Sequence, residues 1–172
     1  MAALFITLFL PLLGAIILLF FNKDNVKAIK SSTLFISILT FAASLPLFFS
    51  FNQQDPGFQF VFEMSWIPAF DAGFRIGLDG MSLLLVMLTT FITPIAIMSS
   101  FESIKKRHKS YYIMILLLQF GMTGVFVSLD IFLFYIFWEL ILIPMYFIIG
   151  IWGGKDKIYA AVKFFLFTVV GS

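Results

Sequence analysis

The chain has 172 residues, of which 62% are hydrophobic and 12% charged, with a formal net charge of +2 and a mean hydropathy of +1.08. Soluble domains carry about 45–50% apolar and about 25% charged residues, so polar surface is too scarce here to cover a water-soluble particle, and lipid must solvate most of the chain. Disorder, collagen and a nucleic-acid module are excluded with it; zero cysteines remove disulfides, thiolate catalysis and cysteine-ligated clusters, and the single histidine, His108, cannot build a histidine metal site.

Five long apolar runs follow one another, the first four without a charge and the fifth with one: Ala2–Phe21, Ser31–Phe51, Met81–Phe101, Tyr111–Leu129 and Ile131–Trp152. Each holds 19 to 22 residues, and about 20 helical residues span the roughly 30 Å hydrocarbon core. Barrel strands are shorter and alternate in polarity; these runs do not. The first run lacks a basic leader and a small-x-small cleavage site, so it reads as a permanent helix. A sixth run, Tyr159–Ser172, stops after 14 residues, about 21 Å at helical rise. That predicts a chain truncated within a helix, the N-terminal part of a longer protein. The fold class is all-α, a polytopic transmembrane helical protein.

The loop Asn52–Gly80 has a different period. Phe58, Phe60, Phe62 and Met64 alternate with Gln59, Val61, Glu63 and Ser65, and Phe74, Ile76 and Leu78 alternate with Arg75, Gly77 and Asp79. This predicts a β-hairpin turning across a Pro68/Gly73 connection and lying on the external face. Asp79, just before the third run, suits a helix N-cap.

The loops also carry the topology. Asn22–Lys30, Glu102–Ser110 and the short loop after Trp152, up to Ile158, hold nine basic and three acidic residues. The opposite loops hold Asp55, Glu63, Asp71, Asp79 and Asp130 against Arg75 alone. Basic residues concentrate on the cytoplasmic side, which predicts an external N-terminus.

Two charges interrupt apolar runs. Glu139 falls about 12 Å into the fifth helix at helical rise, where an acidic side chain costs at least about 2.5–3.5 kcal/mol. Low dielectric favours the neutral acid and a nearby cation favours the carboxylate, so such a group can load and release a proton. The competing reading is a protonated glutamate that hydrogen-bonds another helix for packing. Tyr135 and Tyr146 share its helix face, and Pro144 deprives the Leu140 carbonyl of its partner, which predicts a bend. Lys163, near the cytoplasmic end of the sixth run, reads equally as a snorkelling cation or as a charge partner or relay for Glu139. Small residues at Gly121, Gly124 and Ser128, and at Ser37, Thr40 and Ser44, mark packing faces, with wetting of a polar path as the alternative.

The run IFLFYIFWELILIPMYFIIGIWGG at 131–154 resembles the chain M family, mitochondrial chain 4 type, of NADH–quinone oxidoreductase, respiratory complex I. IGLDGMSLL at 76–84 and AVKFFLFTVVGS at 161–172 look like further segments of that family. The resemblance implies an antiporter-like proton-pumping subunit fold, truncated here. Residues 1–110 would be three leading transmembrane helices with the external hairpin loop 52–80, and 111–172 the start of the first antiporter-like repeat. It implies that Glu139 carries protons, with Lys163 matching a family lysine of less certain role. The central lysines would lie on later helices.

By the same resemblance, this chain holds no cofactor. NADH, FMN, iron–sulfur clusters and quinone belong to partner subunits. Expected partners are other membrane-arm subunits, including neighbouring antiporter-like chains, and membrane lipid, with no nucleic acid. A bacterial plasma membrane fits better than a mitochondrial inner membrane. Two alternatives stay open: a subunit of a multisubunit cation/proton antiporter or membrane-bound hydrogenase, and a structural membrane subunit without transport.

Overall fold

A computed structural model describes residues 1–67 and 72–172. The described residues form six helices and one hairpin: α1 (Ala2–Leu19), α2 (Val26–Ser50), β1 (Gln59–Ile67), β2 (Ala72–Leu78), α3 (Gly80–Ser103), α4 (His108–Val127), α5 (Ile131–Trp152) and α6 (Lys157–Gly171). The first five helices are long and apolar enough to cross a membrane. α6 has 15 residues. The expected elements are all present, while the hairpin turn at Pro68 and the charge at Asp71 lie outside the described residues.

Several boundaries differ from the apolar runs because polar residues cap the helices. α2 begins at Val26, since the Asn25 side chain accepts the Ala28 amide at 3.2 Å. Asp79 closes a reciprocal cap on α3: its carboxylate accepts the Ser82 amide at 2.7 Å while its own amide donates to the Ser82 hydroxyl at 2.9 Å. The Ser82 amide foremost, and then the Ser82 hydroxyl, which donates to the same carboxylate oxygen at 2.8 Å, hold the Asp79 carboxyl below its usual range.

Lysines counted as loop charges cap neighbouring helices. Lys109 Nζ donates to the Leu19 and Phe21 carbonyls at the end of α1, at 2.8 and 2.9 Å. Lys30 Nζ reaches the Phe101 carbonyl of α3 at 2.6 Å, and Lys157 Nζ reaches Ile151 of α5 at 2.6 Å. Cations there satisfy orphan carbonyls and oppose the negative helix ends. The basic end of the bundle is therefore knitted together as well as charged.

Lipid gives helices no hydrophobic reason to associate, so close packing through small residues carries the contact. A β-carbon on Gly14 of α1 would stand 2.7 Å from Ile36 of α2 and 3.2 Å from Leu116 of α4. Ser37, Thr40 and Ser44 of α2 are fully buried, and Ser44 hydrogen-bonds Thr90 of α3 at 3.0 Å. Large side chains face outward instead, such as Phe20, Phe49 and Phe35.

The hairpin is antiparallel and sits at the end opposite the basic loops, with Phe62 of β1 edge-on to Phe5 of α1 at 5.0 Å. Its alternation is interrupted. Gln59 pairs with Leu78 but Phe62 pairs with Ile76, so β1 carries one extra residue there, with a second register shift between Ser65 and Ile67, and Phe60 has a left-handed φ of 54°. This bulge changes which face the side chains take. Ile76 and Leu78 are fully buried while Phe58 and Met64 are exposed, so only part of the alternating apolar set reaches the bundle.

Candidate functional site

α5 is positioned from both sides. At its start, Asp130 Oδ1 accepts the Phe132 and Leu133 amides at 2.9 and 3.2 Å, and Oδ2 accepts the Gly73 amide of the hairpin at 3.2 Å. Burial pushes this carboxyl up, but the three backbone amides and the Arg75 charge outweigh it and hold it below the usual range. The Leu129 amide donates to the Arg75 carbonyl at 2.9 Å, so β2 is bound to the α4–α5 turn. Read from the sequence only as a loop charge, Asp130 is the clamp at the head of α5. The available signal was an aspartate directly before an apolar helical run.

Along its length α5 lies against α4 at the predicted small-residue face. Gly121 meets Ile141 and Leu140, and Gly124 lies under the Phe137 ring. Phe137 also stands edge-on to Phe120 at 5.3 Å. Ser128 plays another part: its hydroxyl donates to the Gly124 carbonyl at 2.6 Å and its backbone bridges to Ile76. With Phe137 turned into α4, Glu139 two residues on is turned away from it.

Glu139 is half-buried on the α6 side of α5. Its Oε1 accepts the Ser172 hydroxyl at 2.8 Å. The carboxyl opens into a groove of about 480 Å³ lined by Phe132, Tyr135, Ile136, Leu140 and Ile143. Tyr135 shares that groove. Tyr146, two turns beyond Glu139, packs on Phe165 of α6 with centroids 5.7 Å apart, and the buried Ala161 lies beside Gly150. Glu139–Ser172, Tyr146–Phe165 and Gly150–Ala161 form one antiparallel seam. The helix runs unbroken through Pro144.

Lys163 is on α6 between the Ala161 and Phe165 levels of the seam, not at the level of Glu139. It is exposed, with Nζ 5.7 Å from the centroid of Tyr159. Nine residues separate it from Ser172, about 13 Å along the axis. Glu139 and Lys163 are thus not brought into contact. His108 starts α4 half-buried, with Nδ1 buried and without a hydrogen-bond partner. Among the described residues no group of three or more His, Cys, Asp or Glu is placed to hold a metal.

Five apolar helices of membrane-spanning length, a polar clamp at one end and one acid on an interhelical seam define a multi-pass membrane protein. Residues 5–124 match the family described as NADH-ubiquinone oxidoreductase chain 4, amino terminus, and residues 128–172 match the family described as NADH:quinone oxidoreductase/Mrp antiporter, TM. The chain belongs to the NADH-ubiquinone oxidoreductase chain 4 family.

Among curated proteins, it is 41% identical to NADH-quinone oxidoreductase subunit M of Rickettsia conorii, covering 97% of this chain and 35% of that one. It is 44% identical to NADH-ubiquinone oxidoreductase chain 4 of Marchantia polymorpha, covering 95% of this chain and 33% of that one. The chain thus spans about a third of the length of these relatives. Two solved structures share the fold. A chain of respiratory complex I from Thermus thermophilus aligns with a TM-score of 0.82 at 24% identity, over 98% of this chain and 33% of the other. A chain of the Mrp complex from Dietzia sp. aligns with a TM-score of 0.70 at 20% identity, over 98% and 17%.

Proposed function

We propose that this chain is part of a proton-translocating membrane-arm subunit of NADH–quinone oxidoreductase, and that Glu139 is its proton-carrying acid. The observation that supports the reading most is the placement of Glu139. It is an ionisable group about 12 Å inside an apolar helix, half-buried, and held by a hydroxyl of the next helix. Intramembrane acids are costly and mark ion pathways by default. A carboxyl that accepts one hydrogen bond from Ser172 and faces an otherwise apolar groove can be neutral when protonated and reactive when it is not. Such a group exchanges a proton with a neighbour that approaches through the groove.

Lys163 stands too far along α6 to be the contact partner of Glu139. It fits a relay position nearer the basic end, or a snorkelling cation. Lys163→Met separates these readings, because a relay loses transport and a snorkelling cation does not. The remaining assignments belong to the same proposal. Residues 1–110 form the leading helices and 111–172 begin an antiporter-like repeat. The basic end faces the cytoplasm, the N-terminus lies outside, and the membrane is a bacterial plasma membrane. NADH, FMN, iron–sulfur clusters and quinone sit in partner subunits, in keeping with a chain that has no cysteine to ligate a cluster.

The deciding experiment is Glu139→Gln in the full-length chain within its assembled complex, with protons moved per electron as the readout. The expected result is normal assembly with a reduced ratio. Normal assembly with an unchanged ratio sinks the reading and leaves Glu139 a packing group. A second reading, a subunit of a cation/proton antiporter, is favoured by the description of the family matched at 128–172, which names both systems. It predicts transport driven by a cation gradient and independent of NADH oxidation.

A further inference from the structure

Inside the bundle of α1 to α4, away from the Glu139 seam, two buried polar side chains lack partners. Gln119 and Thr123 of α4 are fully buried, and neither the amide oxygen and nitrogen of Gln119 nor the hydroxyl of Thr123 has a hydrogen bond. The contrast with the other buried threonines is sharp. Thr7, Thr33, Thr40, Thr90 and Thr93 each donate to a carbonyl of their own helix, at 2.7 to 3.0 Å. Among the described buried threonines, only Thr123 does not.

The helix register places more unsatisfied groups at the same depth. Phe9 of α1 meets Phe120 of α4 at 5.9 Å, and Ser100 of α3 meets Tyr112 of α4 at 3.2 Å. Counting along these antiparallel pairs, Thr123 lies level with Thr7 and Thr90, and Gln119 lies level with Pro11 and Thr93. Pro11 and Pro94 have no amide hydrogen to give the carbonyls of Thr7 and Thr90. Two proline-freed carbonyls therefore sit near the level of the unpaired Thr123 hydroxyl, towards the hairpin end of the membrane-spanning helices.

An unpaired buried amide or hydroxyl is destabilising, and freed carbonyls beside membrane prolines are commonly satisfied by ordered water. We propose that Gln119 and Thr123 form a binding site for ordered water within the α1–α4 bundle, bridging their side chains to the proline-freed carbonyls of Thr7 and Thr90. The site is separate from the Glu139 groove, since the Gly121–Ile141 and Gly124–Phe137 contacts close the α4–α5 interface between them. It stands whether or not Glu139 carries protons.

The test uses the full-length chain in its assembled complex. A density map that resolves ordered solvent is expected to show water within hydrogen-bond reach of both the Gln119 amide and the Thr123 hydroxyl. Direct protein partners for both groups, or a dry interior, overturn the proposal. Variants ask the same question by stability. Thr123→Val and Gln119→Met, which keep size, are each expected to lower the thermal midpoint of the solubilised complex. The double variant should lose less than the sum, because the first change already releases the shared water. If Thr123→Val is neutral or stabilising, the hydroxyl holds nothing and the site does not exist.

Discussion

Gly124 of α4 lies directly under the ring of Phe137 of α5, so closely that a β-carbon there would overlap the ring. This fit sets the rotation of α5 and hence the direction in which Glu139 points. Gly124→Val is expected to prise α5 from α4, since overpacking costs about 1–3 kcal/mol even where the surroundings adjust. The full-length variant should assemble poorly. Gly124→Val combined with Phe137→Ala should recover part of the loss, read as the yield of intact complex. No recovery would mean that the pair does not control the interface.

Asp130 joins the hairpin to the head of α5 through three backbone amides. Asp130→Ala removes a helix cap, typically about 0.5–2 kcal/mol, and also releases β2. Faster amide hydrogen exchange is expected at Gly73, Phe132 and Leu133 together. If only the α5 amides respond, the link to the hairpin is not a working contact.

The pH dependence follows from the same carboxyls. Asp79 and Asp130 are both held below their ordinary range in the folded chain. Their contribution is therefore fully present above the unfolded value of about 3.9 and fades as pH falls through the lower folded values. Protection of the hairpin and of the first turns of α3 and α5 should weaken only below about pH 4. Asp130→Asn should flatten the α5 part of that profile. Loss of protection that begins near neutral pH would point to a different group.

Lys109 donates to two carbonyls at the end of α1. Lys109→Met should cost about 0.3–1 kcal/mol, the range for a cation at a helix C-terminus. Lys105 is an exposed lysine of the neighbouring loop, and Lys105→Met should cost less. Thermal midpoints of the two full-length variants make the comparison. Equal effects would reduce Lys109 to a topological charge.

The sequence by itself determined that this is a lipid-solvated helical protein, because an uncharged run of about 20 residues has few other stable solutions in water or membrane. It also placed the hairpin, the Asp79 cap, the small-residue packing faces and the exceptional position of Glu139. Each of those signals is local: a period, a run length, or one residue type beside another.

What only the tertiary structure decided depends on the rotation and register of packed helices. Contacts between residues distant in sequence settled that Ser172, rather than Lys163, meets Glu139, and that Asp130 ties Gly73 to α5. They likewise showed that Lys109 and Lys30 cap helices other than their own. The bulge at Phe60 also escaped the alternating pattern, since one extra residue in a strand is visible only against its partner. Gln119 and Thr123 gave no warning in sequence. A glutamine or threonine in an apolar helix becomes informative only when its surroundings show whether its hydrogen bonds are made.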